Sequence, residues 1–349
     1  MHIRCRHIVQ TAAVSLLCLL AGMETAPAQR LPDASMHDRI MEGIDLTLKE
    51  RYFDARRSFE TVVRNWPSHP SGYLFLAAVM QAECSDYDTW LNRPLYDSLL
   101  EKAALRAEQM MSRQKGDPWG YYYAGTASAY RSFSESEEGN WYTALKEGIS
   151  SAGMFEEALN CDASFWHAMS GLGTYYYWRS RKTDFLNWLP FMKDKRSEGF
   201  SMLRNAAQNS VYESAVAVSS MMWILIEECR YREAVEWADR ILSRYPDNRS
   251  VLWGILTAHE RIKDSTSLKK DVVRLLASIV AAPVRNIYAE ITCRLKLAQF
   301  AAATGDARTG EEECAAILRY QPMSGKTHKD ISKKLEAARE LSVRLRKSK

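Results

Sequence analysis

Four residues near the C-terminal end, Ser324-Gly325-Lys326-Thr327, have the chemistry of a phosphate cradle. A glycine turn offers backbone amides, a lysine meets phosphate charge and a hydroxyl can reach a metal ion. That cradle also needs a glycine five residues before Gly325, where this chain has Tyr320, and no strand-like run precedes it. The stretch therefore reads as a polar turn. Gly171-x-Gly173 lacks a third glycine and lies in a helical pattern, so it is no dinucleotide fingerprint. The seven histidines are scattered with no His-Glu-x-x-His, and there is no Gly-x-Ser-x-Gly elbow for a serine nucleophile. His259 and Glu260 adjoin, but neighbouring helix positions point to different faces. No catalytic residue, metal site or cofactor is expected. An enzyme on this chain would have to assemble its site from residues distant in sequence.

Binding chemistry is better represented. The run Arg179–Gly199 sets Arg179, Arg181, Lys182, Lys193, Lys195 and Arg196 around Phe185, Trp188, Leu189 and Phe191. Such a run either folds back on the protein through its aromatics or presents a basic-aromatic surface to an anionic ligand. Aromatic residues are also dense at Tyr121–Tyr123, Trp166, Tyr175–Trp178, Trp223 and Trp253.

The elements that must position these groups are helical. The 349 residues are 46% hydrophobic and 26% charged, with few glycines and prolines and no long β-branched runs. A net charge of +4 is too small to imply nucleic acid. At the start, Arg4, Arg6 and His7 precede an apolar run from Ile8 to Met23, and Ala26-Pro27-Ala28 supplies small residues for cleavage after Ala28. Residues 1–28 thus read as an export signal. A retained anchor is the alternative, though the run is shorter than the roughly 20 residues of a span. Cleavage would leave Cys84, Cys161, Cys229, Cys293 and Cys314. That odd number has no Cys-x-x-Cys, so they are expected as small core side chains with at most one bridge.

Repetition organises the rest. Ala55, Phe59 and Pro67 put a small residue, a large one four later and a proline twelve later; Ala234, Ala238 and Pro246, and Gly310, Cys314 and Pro322, repeat the offsets. Leu172-Gly173-x-x-Tyr176 adds a first-helix signature, its glycine letting a partner helix approach. On these residues the chain resembles the tetratricopeptide repeat family. The resemblance implies an all-α solenoid of about seven helical hairpins over residues 36–325 and a basic amphipathic cap and tail over 326–349, all one domain from 29. Loops are expected at Cys84–Leu95, Ser134–Asn140 and Arg179–Gly199.

In that family the first helices line a concave groove. The resemblance turns His167, Ser170, Thr174, Tyr177, Trp223 and Trp253 toward it, with Trp178 beside them and Arg179, Arg181, Lys182 and Trp188 in the adjoining insertion. It implies a non-catalytic scaffold, exported to the periplasm or secreted, that binds a peptide or protein and neither nucleic acid nor a stable membrane span. A receptor for a small amphipathic or anionic ligand in an aromatic pocket is the other reading.

Overall fold

The computed structural model describes residues 29–31, 33–184, 193–320 and 328–347; Trp188 and the turn at 324–327 lie outside them. The described residues contain fifteen helices and no strand. Seven hairpins follow in order: α1 (Ala34–Leu48) with α2 (Tyr52–Asn65), α3 (Pro70–Tyr87) with α4 (Arg93–Arg113), and α5 (Pro118–Glu137) with α6 (Trp141–Cys161). Then come α7 (Trp166–Lys182) with α8 (Arg196–Asn209), α9 (Ser214–Glu227) with α10 (Tyr231–Leu242), α11 (Arg249–Ile262) with α12 (Ser265–Ala281), and α13 (Ile287–Ala303) with α14 (Ala307–Ile317). The cap is α15 (His328–Lys347), which packs on α13 and α14. Each helix packs on the next, as in a tetratricopeptide-like solenoid.

Local chemistry sets the boundaries. Asp33, Asn92, Asp117, Asn248, Asp264, Asn286 and Asp306 each precede a helix and accept an otherwise orphaned amide of its first turn. Within a hairpin, small residues on one helix admit large ones from its mate: the ring of Phe59 lies where a side chain on Gly43 would be. In the fourth hairpin Gly173 meets Gly199, and a Cβ on Gly173 would lie 2.7 Å from the Gly199 carbonyl oxygen. The repeated positions Ala55, Phe59, Ala234, Ala238 and Cys314 are fully buried, as the repeat pattern requires.

The expected loops are shorter than the sequence suggested. Helix α3 runs through Cys84 to Tyr87, α4 starts at Arg93, and α5 continues through the acidic stretch to Glu137. Most of the polar residues there are at least partly exposed on continuing helices, while Ser134 is buried and Asp86 turns inward to Arg249. All five described cysteines are free, and two depart from the core expectation. Cys161 is exposed at the end of α6, and Cys229 is exposed in a turn with φ 58°.

The stack also closes on itself. Tyr245 and Asn248, just before α11, donate to Asp45 (3.0 Å) and to the Leu48 carbonyl (3.0 Å) at the end of α1. Arg249 lies between Glu50 and Asp86 from the first two hairpins: its Nη1 is 2.9 Å from Glu50 and its Nε donates to Asp86 at 2.7 Å. Asn286, capping α13, donates to the Asp86 carbonyl at 2.9 Å. The first two hairpins are thereby tied to the loops before α11 and α13, some 200 residues along the chain.

Candidate functional site

Because the stack curls this tightly, the inner ends of the first helices meet. Trp119, Tyr122 and Tyr123 of α5, Phe165 and His167 at the start of α7, and Tyr212 ahead of α9 form one aromatic cluster, with centroid separations of 5.0 Å for Trp119–His167 and 5.2 Å for His167–Tyr212. His37 of α1 and Phe75 of α3 close it from the other side. The groove expected to be open here is filled at His167, which is about 1% exposed; Ser170 is equally buried, and Tyr177, also about 1% exposed, lies instead in the core between α7, α8 and α9. The closure that buries His167 was not legible in the sequence.

The filling includes the chain's own leading segment. His167 Nε2 lies 3.0 Å from the Gln29 carbonyl oxygen. A carbonyl only accepts, so Nε2 carries the proton and Nδ1 accepts from the Ser210 hydroxyl at 2.6 Å. Ser210 Oγ in turn accepts from the Glu213 amide at 3.0 Å. These bonds run in one direction and end on a backbone carbonyl of the segment. Burial pushes the His167 imidazole down to about 4, so it stays neutral and keeps this tautomer near neutral pH. The Leu31 amide donates to Tyr212 Oη at 3.1 Å, the Leu31 side chain is buried in the apolar core, and the Gln29 side chain donates to Asp162. A backbone carbonyl, a backbone amide, an apolar side chain and a polar one are each held by a separate group.

Further polar groups are buried nearby. Tyr122 donates to the buried carboxyl of Glu213, which burial raises to about 7. The Tyr123 hydroxyl and Ser170 Oγ are buried without a hydrogen-bond partner.

The remaining expected residues lie along α7 beyond Ser170, on α9 and on α11. Thr174 is half-buried, donates to the Ser170 carbonyl (2.9 Å) and accepts from the Ser220 hydroxyl (3.2 Å). Tyr177 donates to Glu228 and packs edge-on against the half-buried Trp178. Arg179 is half-buried and Lys182 exposed. Arg181 is exposed and reaches Glu227 at 3.1 Å, one helical turn from Trp223, which is 37% exposed. Trp253, on α11, is half-buried against a second core cluster. Of the insertion, Lys195 turns back to the stack, its amide bonding Ser180 Oγ (2.9 Å) and its ammonium 3.7 Å from the Tyr176 ring centre. Arg196 is held by Asp194 and Asp184. The structure thus brings Arg181 to the helix face that carries Trp223 and keeps His167 and Ser170 buried. Gln29, Leu31, Tyr212 and Glu213 were missed, because only three-dimensional closure brings the leading segment to the fourth and fifth hairpins.

Among the described residues no group of histidines, cysteines and carboxylates is arranged to hold a metal, and no helix is long and apolar enough to cross a membrane.

The described hairpins define an all-helical, tetratricopeptide-like repeat protein. No protein-family model matches the chain, and no curated protein matches it in sequence. Among solved structures, it is similar to the C-terminal part of a TPR repeat-containing protein from Cytophaga hutchinsonii, with 14% identity over 84% of this chain and 98% of that one and a TM-score of 0.42. A tetratricopeptide repeat protein from Parabacteroides merdae is 13% identical over 88% of this chain and all of that one, at 0.38. A thermophilic TPR protein from Thermus thermophilus is 14% identical over 64% of this chain and 98% of that one, at 0.40. The fold rests on this chain's own hairpins and buried repeat positions.

Proposed function

We propose that the protein is an exported, non-catalytic interaction scaffold of the cell envelope or periplasm that binds extended segments of a protein partner. One observation carries this reading. The inner face already grips a length of polypeptide, Gln29–Leu31: His167 donates to its carbonyl, Tyr212 accepts from its amide, the core takes its leucine and the Asp162 carboxylate its glutamine side chain. Those are the groups by which any extended peptide would be recognised. A partner's segment competes with the chain's own, and the exposed Arg181 and Trp223, with the basic-aromatic insertion 179–199, extend the contact. Residues 1–28 direct export, with cleavage after Ala28. The test is a cross-linking pull-down from the native envelope, beside a variant with Arg179, Arg181 and Lys182 all replaced by alanine. A protein recovered by the wild type and lost in the variant, at unchanged melting temperature, supports the reading. A steep fall in melting makes those side chains structural and removes the edge from the site.

A small-ligand receptor is the second reading. The partnerless hydroxyls of Tyr123 and Ser170 favour it, since they leave hydrogen-bonding capacity in the aromatic interior. Small molecules carried through native mass spectrometry, with no protein captured, would select it.

A further inference from the structure

The helix α6 bears the most exposed apolar surface among the described residues. Trp141 is 69% exposed, Tyr142 83%, Leu145 62% and Ile149 55%. Trp141, Leu145 and Ile149 stand at i, i+4 and i+8, so they share one face along about 12 Å of helix. The opposite face supplies the core: Ala144, Ser151, Ala152 and Phe155 are buried. Burial therefore explains the inward residues and leaves the outward ones without a structural role. On α5, Ser132 donates to the Ala144 carbonyl and Arg131 reaches Glu147, which sets Phe133, 45% exposed, at the level of Leu145.

The patch has relief and charge. Beside its bulky residues, Gly148 is half-buried and Gly153 exposed, and a Cβ on Gly153 would meet nothing within 4 Å. A ridge of large side chains flanked by a backbone-level hollow is the surface into which another helix packs. Between residues 131 and 160 there are six carboxylates, Glu135, Glu137, Glu138, Glu147, Glu156 and Glu157, against Arg131 and Lys146. Arg93 pairs with Glu135 and Glu138 from α4, which leaves an acidic excess of three on a chain whose net charge is +4. A second copy would bring carboxylates against carboxylates, and an anionic lipid surface would be repelled.

We infer that the outer face of α6 is a docking site for a partner helix whose apolar stripe is flanked by lysine or arginine. It is a different surface from the inner face and serves a different part of a partner. The apolar ridge supplies the affinity, and the acidic rim supplies the choice of partner and a salt dependence.

The probe is a fluorescein-labelled amphipathic leucine-lysine helix of about 14 residues, with its leucine-glutamate counterpart, followed by fluorescence polarisation on the full chain. The lysine peptide should bind at least about tenfold more tightly than the glutamate one, and Leu145→Ser with Ile149→Ser should remove about the same factor. Both positions are exposed, so circular dichroism and melting should match the wild type. Equal binding of the two peptides, or undiminished binding to the double variant, overturns the inference. A wild-type dimer that the double variant lacks in sedimentation would assign the face to a second copy. Co-sedimentation with phosphatidylglycerol vesicles, lost in the variant, would assign it to a membrane. Either result also overturns the inference, and none of these bears on peptide binding at the inner face.

Discussion

Replacing Arg249 with methionine tests the closure of the stack. The arginine side chain is 7% exposed, and the carboxylates it separates, Glu50 and Asp86, are 7% and 10% exposed. Methionine keeps much of the stem and removes the bonds from Nε to Asp86 and from Nη1 to Glu50 and Ser278. Two buried carboxylates are then left facing each other with no cation between them. Breaking a buried pair from one side costs about 3–5 kcal/mol. Burial, and then the charge of Asp86, already push Glu50 up to about 8, so near neutral pH the variant can relieve part of that cost by taking up a proton. The loss should therefore be larger at pH 9 than at pH 6. Urea unfolding at both pH values gives the magnitude. Each hairpin keeps its neighbours, so amide exchange should accelerate first where the clasp closes, around Glu50, Asp86 and Arg249, and the radius of gyration from solution scattering should rise. A loss under about 1 kcal/mol at pH 9, with unchanged exchange and scattering, would refute this account of the closure.

Other consequences follow from single contacts. Glu50→Gln keeps the hydrogen-bonding shape and removes a group whose pKa rises from 4.5 to about 8 on folding. The wild-type carboxyl contributes its stabilisation in full below 4.5 and loses it as pH rises through 8, so across pH 5–8 the variant should gain on the wild type by a few kcal/mol, on the order set by linkage. Parallel melting curves of the two proteins over that range would be contrary to it. Gly173→Leu should destabilise by about 1–3 kcal/mol or more in thermal unfolding, because its new Cβ meets the Gly199 backbone, which no rotamer change can move. A neutral result would mean that the α7–α8 contact is looser than the glycine pair indicates.

Much of the fold was legible in the sequence because a hairpin is a local object. Ala55 and Phe59, or Leu172 and Gly173, declare their packing within a few dozen residues, and the cap α15 declares itself by Ile331, Leu335, Ala338 and Leu345, all buried. The site was less legible. The family pattern turns His167 and Ser170 toward a groove, but whether an inner face is open depends on how far each hairpin rotates on the last. That curvature is summed over the whole stack and fixed by pairs such as Arg249 with Glu50, which no local pattern announces. The α6 ridge was not read from the sequence, although Trp141, Leu145 and Ile149 stand at helical spacing. Without knowing which face packs, the same spacing describes an ordinary core stripe.

We propose that the inner face grips extended polypeptide, with Gln29–Leu31 as its resident occupant. A labelled peptide with the sequence of residues 29–36 tests this when titrated into the full chain carrying Leu31→Asp. In the wild type the tethered segment competes at an effective concentration on the order of mM, so the peptide should bind the variant at least about tenfold more tightly. The same peptide with aspartate in place of Leu31 should bind neither protein. If the leucine peptide fails on a variant that melts like the wild type, or if both peptides bind alike, the inner face is only a core and the peptide-binding account is wrong.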